Sequence, residues 1–299
     1  MTTEAAMAIL APALCGDGGG RPLDGMVALV SGGGRGIGRL LGARLAGAGA
    51  AVGLIARSAG ELAAATGEIS RAGGIAAAAV ADVTDQRATA AAVAELRERL
   101  GAVDVLVNNA GVSGPVGPLS EAPTAEWWRA VEVNLGGAFV LTQLALEHMI
   151  PAGGGRIINI TSYAGVYRWP LLSAYAASKA ALVKLTETLA EETRPHCVSV
   201  FSVDPGLLHI GLGEAALRAT AGRQTPAGRV QSWIRDQFAA GRGADPEEAA
   251  RLIVALASGR ADRLSGRHLS VAEDLDALLP RIGQIERDDL YTLRLRTGH

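Results

Sequence analysis

Met26-Val-Ala-Leu-Val-Ser31-Gly-Gly-Gly-Arg35-Gly-Ile-Gly38 is the stretch on which the reading of the whole chain turns. Its first six residues form a short apolar run, the pattern of a strand buried on both faces of a parallel sheet. Glycines follow at once, and a helical pattern then continues to about Ala48. In such a strand-turn-helix unit, Gly32, Gly36 and Gly38 supply a tight turn, room for the backbone to approach a pyrophosphate, and close helix packing. The amides of the turn and first helical residues, Arg35 to Gly38 with Ile37 among them, face the phosphates, where the helix N-terminus favours negative charge. A glycine cluster elsewhere would be a flexible loop; its place between strand and helix predicts dinucleotide binding.

Working outward, the apolar runs 51–56, 75–80, 104–107, 156–160, 198–203 and 267–271 read as further strands. Helical patterns cover 61–71, 85–100, 124–149, 173–194 and 245–258. Strands alternating with helices predict an α/β, doubly wound Rossmann fold with a parallel sheet. Asp85 is the expected cap of the third helix, Thr124 of the fourth, and Asp245, followed by Pro246, of the helix before the last strand. The expected organisation is a loose tail at 1–23, one catalytic domain at 24–272 and a C-terminal extension at 273–299.

The second strand ends in Ala56-Arg57-Ser58, where many dinucleotide folds carry an acid for the ribose 2′-hydroxyl. Arg57 and Arg35 instead offer two guanidinium groups to a 2′-phosphate, which favours NADP(H) over NAD(H). The alternative is that both arginines are solvated surface residues. Asp82-Val83 closes the third strand at the adenine end of the expected cofactor site. Asn108-Asn109-Ala110-Gly111 closes the fourth, with small and amide side chains that let the cofactor lie close. Tyr175 and Lys179, four apart on one helix face, place an ammonium beside a phenol, an arrangement expected to lower the phenol pKa for acid/base work. Tyr and Lys share this spacing on many helices, so the pair alone selects nothing.

The chain has 299 residues, 49% of them hydrophobic, and a net charge of -2, enough for a large core and without a basic run suited to nucleic acid. Cys15 and Cys197 are far apart and lack neighbours at metal spacing, so neither a disulfide framework nor a metal site is expected, and a reducing cytoplasm fits. The apolar run 5–14 has no basic residue before it and is too short to span a bilayer, and a lipid-modified Cys15 is disfavoured by the same start. The expected partner is a small molecule, with neither nucleic acid nor membrane involved.

Ser162, followed thirteen residues later by Tyr175-Ala-Ala-Ser-Lys179 and preceded by the glycine turn and Asn108-Asn109-Ala110-Gly111, resembles the short-chain dehydrogenase/reductase superfamily over residues 24–272. The resemblance implies a seven-stranded parallel sheet with helices on both faces, a nicotinamide cofactor, and a homotetramer or homodimer. It also implies a catalytic tetrad of Asn134, Ser162, Tyr175 and Lys179. Tyr175 would protonate a carbonyl oxygen that Ser162 orients, Lys179 would lower the Tyr175 pKa and bind the nicotinamide ribose, and Asn134 would hold a water leading from Lys179 to solvent. The implied activity is reduction of a ketone or aldehyde. A non-catalytic dinucleotide sensor and a redox-neutral epimerase or dehydratase are the competing readings.

Asp204-Pro205-Gly206 turns toward the expected nicotinamide position. Relatives often carry a threonine four residues after that glycine; here Ile210 stands, which leaves backbone near Leu208 to hold the carboxamide. Residues 207–243 read as a mobile lid or, equally, as a helix packed by the stripe Val230, Trp233, Ile234 and Phe238. Tyr167, Arg168 and Trp169 are expected near the substrate, and His209 is a better pocket candidate than His148. The tail past residue 272, interrupted by Pro280, is expected to cover a neighbouring subunit or the active-site mouth.

Overall fold

The computed structural model describes residues 20–218, 222 and 224–295; the expected tail at 1–19, with Cys15, and Arg296 at the end of the C-terminal stretch lie outside the described residues. Seven strands, β1 (Val27–Ser31), β2 (Ala51–Ala56), β3 (Ile75–Val80), β4 (Val105–Asn108), β5 (Gly155–Ile160), β6 (Val198–Asp204) and β7 (His268–Ser270), pair in the order β3-β2-β1-β4-β5-β6-β7. Every pairing is parallel. The order reverses between β1 and β4, which opens a crevice at the carboxyl ends of the strands, the place where sheets of this type bind ligands.

The helices α1 (Gly36–Gly47), α2 (Ala59–Arg71), α3 (Gln86–Leu100), α4 (Thr124–Val131), α5 (Gly137–Ala152), α6 (Ser173–Thr193), α7 (Leu212–Arg218), α8 (Pro226–Ala239), α9 (Pro246–Ala257), α10 (Leu275–Leu278) and α11 (Ile282–Arg287) complete the chain. Two apolar clusters form on opposite sides of the sheet because successive strand side chains alternate between its faces. One joins Val30, Leu54 and Phe201 to α1, α2 and α9; the other joins Leu29, Leu106 and Val200 to α3, α5 and α6.

Several boundaries differ from expectation for identifiable reasons. Leu23 is fully buried and donates its amide to Ala48 O at 2.9 Å, so the core begins before residue 24. Pro123, not Thr124, occupies the cap of α4, with no side-chain capping bond. The expected continuous helix 124–149 is broken by a π-helical turn over Glu132–Gly136 and runs on to Ala152. Asp85 and Asp245 cap α3 and α9 as expected, accepting from Ala88 N and Glu247 N.

The C-terminal extension packs on this chain's own core. Leu278, Ile282 and Ile285 are buried, and Pro280 divides the segment into α10 and α11. Tyr291 O accepts from His268 N at 2.8 Å, which satisfies part of the exposed edge of β7. Glu187 of α6 fastens the end, accepting from Arg294 Nη1 at 2.7 Å and from Leu293 N.

Candidate active site

The phosphate turn is built for close approach. Gly32 and Gly36 have φ of 65° and 54°, a region that disfavours side chains, and a β-carbon on Gly38 would collide with the Gly32 carbonyl and the Asn109 amide. Arg35 occupies the cap of α1 but makes no side-chain capping bond, so the amides of the first helical turn keep their capacity for an anion. Ile37 packs its side chain on the core behind them.

Ser31, which the sequence showed only as a strand end, organises the neighbouring loop. Its hydroxyl accepts from Asn109 N at 3.0 Å and Ala110 N at 3.1 Å, while Asn109 Nδ2 donates to Ser31 O at 2.8 Å. Gly111 then passes between two functional side chains: a β-carbon there would lie 3.3 Å from Asn134 Oδ1 and 3.6 Å from Lys179 Nζ.

At the adenosine end, Arg35 and Arg57 are both exposed and available to an incoming phosphate. Ser58 caps α2, accepting from Glu61 N at 3.3 Å, and so fixes the chain direction just after Arg57. Asp82 is more committed than expected. Its Oδ1 accepts from Thr84 N and Thr84 Oγ1, its Oδ2 accepts from Arg129 Nη2 at 2.6 Å, and Arg57 Nη1 stands 4.0 Å away. The Thr84 and Arg129 contacts hold its carboxyl below the usual carboxylate range against a desolvation cost that pushes the other way. Arg129, which the sequence gave no reason to single out, is a third guanidinium at this end. Val83 is buried against Gly137.

The four expected catalytic side chains converge at the carboxyl ends of β4 and β5. Asn134 lies in the π-helical turn, a distortion found frequently at functional sites. It is buried, accepts from Val112 N at 2.8 Å, and donates to Val112 O and to Ser178 Oγ, each at 2.9 Å. Both ends of its amide are thus engaged, which ties α6 to the loop after β4. Lys179, also buried, donates to Ile160 O at 2.7 Å, and burial lowers its pKa to about 8.

Tyr175 departs from the expected direction. Burial pushes its phenol up to about 12; a hydrogen bond with Ser162 pulls the other way, and the negative charge of Asp204 adds to the rise. Lys179, lowered to about 8 by burial, has lost its proton before the pH at which the phenol titrates, so its charge does not offset the rise. Ser162 Oγ also accepts from Ala164 N at 3.2 Å, which fixes the start of the segment leading to Tyr175.

Two inner polar side chains hold this group in place without facing the crevice. Asn108 Nδ2 donates to Asn159 Oδ1 at 2.8 Å and to Thr142 Oγ1 at 3.1 Å, and Asn159 Nδ2 reaches Thr186 Oγ1 at 2.9 Å. The network links β4 and β5 to α5 and to α6, the helix that carries Tyr175 and Lys179. An asparagine inside the apolar run 156–160 was its signal in the sequence.

Past β6, Asp204 is buried and accepts from Gly206 N at 3.1 Å and from Tyr163 N, while desolvation raises its pKa. Pro205 and Gly206, the latter at φ 74°, turn the chain, and Leu207 O accepts from Ala244 N at 2.9 Å. Leu208 is buried. The chain past Leu208 then packs down onto the phosphate turn: a β-carbon on Gly36 would lie 2.8 Å from Gly211 Cα. Ile234 on α8 is buried, whereas Trp233 is exposed and rests on Trp169.

The sequence model of a family described as short chain dehydrogenase matches residues 26–219. Among characterised relatives, the chain is 34% identical to an NAD-dependent glycerol dehydrogenase of Listeria innocua over 60% of its own length and 66% of that protein. It is 36% identical to a cis-4-hydroxycyclohexanecarboxylate dehydrogenase of Sinomonas cyclohexanicum, over 63% of its own length and 72% of that protein. The chain therefore spans about two thirds of the length of these relatives. Among solved structures, a variant of the actinorhodin polyketide ketoreductase with NADPH superimposes with a TM-score of 0.75 at 31% identity, covering 82% of this chain and 95% of that one.

Proposed function

The chain belongs to the short chain dehydrogenase family, and from that premise we propose that it is an NADPH-dependent carbonyl reductase, taking a moderately apolar ketone or aldehyde to the alcohol, reversibly. The observation that carries this reading is the Lys179 ammonium, buried 5.7 Å from the Tyr175 ring centre and held by Ile160 O at 2.7 Å, at the end of the strand that delivers Ser162. When bound, the dihydronicotinamide supplies the hydride to the carbonyl carbon. Tyr175 donates its proton to the carbonyl oxygen, and Ser162 Oγ orients that oxygen. Lys179 holds its position through Ile160 O and would bind the nicotinamide ribose, and Asn134 keeps α6 in register.

The preference for NADP(H) is supported by Arg35 and Arg57, two exposed guanidinium groups, with Ala56 and Arg57 standing at the end of β2 where an acid would meet a ribose 2′-hydroxyl; Asp82, 4.0 Å from Arg57, is already engaged by Arg129 and Thr84. Asp82 and Val83 are assigned to the adenine edge, and Asn109, Ala110, Gly111, Pro205, Gly206 and Leu208 to the nicotinamide half. We place the enzyme in a reducing cytoplasm, as a homodimer or homotetramer. An exposed free Cys197 suits that compartment, and a groove of about 490 Å³ lined by Trp128, Leu135, Phe139 and Leu185 offers an apolar face for self-association.

The test is a screen of ketones, quinones and alcohols with NADPH and NADH, followed at the absorbance of the reduced nicotinamide. The proposal predicts oxidation of NADPH matched by alcohol formed. Turnover without net change in absorbance would instead mark a redox-neutral isomerisation, and cofactor binding without any turnover would mark a sensor.

A further inference from the structure

Aromatic residues make up only 4% of the chain, yet three of its four tyrosines and two of its four tryptophans lie within 163–175 and on α8. Outside Tyr175, they form pairs at the rim of the catalytic crevice. Tyr163 and Tyr167 stack with ring centroids 3.9 Å apart and planes 14° apart, and both are about half exposed, at 47% and 58%. Trp169 meets Trp233 edge to face at 4.9 Å and 90°. His209, just past Pro205-Gly206, stacks on Phe238, with planes 24° apart.

Position ties these rings to the chemistry. Tyr163 follows Ser162 directly, and the charge of Asp204 acts on the phenols of both Tyr163 and Tyr175, which sets the Tyr163 ring beside the crevice. Leu171 O accepts from Gly117 N at 2.9 Å, which anchors the far end of the same segment to the loop after β4. Trp233 belongs to α8, so the Trp169–Trp233 pair spans from the segment before Tyr175 to the 207–243 region, within which His209 and Phe238 pair with each other. Large rings left exposed in such number have no core to fill and present flat π-faces and edges to whatever enters.

We propose that this site selects planar, fused-ring aromatic carbonyl compounds, about two rings wide, held against the Tyr163–Tyr167 stack, with the Trp169–Trp233 contact latching the lid over them. This deepens the carbonyl-reductase reading and rests on it for the reaction, not for the binding preference. Offset and edge-to-face contacts reward an aromatic ligand over a saturated one of the same skeleton, since only the former carries a quadrupole complementary to the rim. The carbonyl of such a compound, directed to Ser162 and Tyr175, becomes the alcohol by gain of one hydride and one proton.

The experiment is calorimetric titration of the full chain, with saturating NADPH so that neither alcohol can react, using 2-naphthol and decahydro-2-naphthol, which share skeleton and hydroxyl but differ in aromaticity. The proposal predicts that 2-naphthol binds about tenfold more tightly, and that the preference falls to about twofold or less in Trp169→Leu and Tyr167→Leu. Tyr167, being exposed, can be replaced without loss of folding should the Trp169 variant fail to fold. Equal affinities in the unmodified chain, or a preference untouched in Tyr167→Leu, would overturn it. A parallel assay of 2-tetralone and 2-decalone with NADPH separates the two readings. Reduction of neither contradicts the reductase assignment alone, and equal reduction of both counts against the aromatic selection alone.

Discussion

Lys179 Nζ lies 5.7 Å from the centre of the Tyr175 ring and is held there by the Ile160 carbonyl at 2.7 Å. One turn of α6 separates the two residues, so helix geometry sets the approach and the strand carbonyl fixes its angle. Burial drives the pair apart in acidity, the lysine down to about 8 and the tyrosine up to about 12. The ammonium is therefore kept in the fold at a cost that serves the site.

That cost has a pH signature. Because the folded pKa of Lys179 lies below the unfolded value of 10.5, its contribution to stability is present above pH 10.5 and lost as pH falls through about 8. The difference in unfolding free energy between the unmodified chain and Lys179→Met should grow in favour of the former by about 3 kcal/mol in the limit of high pH. Denaturant titrations of both proteins from pH 7 to pH 10 check this. A difference that stays flat with pH would place the ammonium in contact with water.

Asp204 raises the Tyr175 pKa by its charge from the end of β6. Lys179, Tyr163, His268 and Glu273 are the other ionisable groups around this pair, and Asp204 acts on Tyr163, His268 and Glu273 as well. Removing the charge eases formation of tyrosinate, the base needed for alcohol oxidation. The pH profile of oxidation by Asp204→Asn should therefore move to lower pH, while reduction near neutrality changes little. A profile displaced to higher pH would contradict the assigned sign.

Gly111 separates Asn134 from Lys179, and the contacts of an added β-carbon, 3.3 and 3.6 Å, are tight but not prohibitive. Gly111→Ala should fold and lose turnover by about tenfold, because small displacements at a reacting centre are costly. Gly38→Ala places the same carbon against the backbone of Gly32 and should lose both stability and cofactor affinity. Activity, thermal melting and cofactor titration on the two variants separate these effects.

Arg57 is largely exposed, at 68% for its side chain, with only a 4.0 Å contact to Asp82, so it is free to meet a phosphate. Arg57→Asp replaces attraction by repulsion and should shift the NADPH/NADH ratio of kcat/KM toward NADH by about tenfold or more. An unchanged ratio would assign the preference to Arg35 or remove it from this end of β2.

Strand positions, the tight glycine turn and the helix carrying Tyr175 and Lys179 were legible in the sequence because each depends on local pattern: apolar runs of strand length, glycines at fixed offsets, and a phenol and an ammonium one helical turn apart. What was hidden depends on burial and on partners distant in the chain. The fall of Lys179 and the rise of Tyr175 come from dry surroundings that no spacing reveals. The π-helical turn at Asn134, the Arg129–Asp82 contact across 47 residues, and the Asn159–Thr186 bond between β5 and α6 arise only once the layers pack. The packing of the C-terminal extension was hidden for the same reason. Its buried Leu278, Ile282 and Ile285 form a stripe that could face any apolar surface, and only the fold shows it to be this chain's own.

The central claim, that Tyr175 is the proton donor of a net carbonyl reduction, is tested most directly by comparing the unmodified chain with Tyr175→Phe. The measurement is NADPH oxidation with an accepted ketone, alongside NADPH binding by fluorescence. Loss of turnover by about 10²-fold or more, with NADPH affinity unchanged, is the predicted result. Turnover by Tyr175→Phe at the unmodified rate would contradict it.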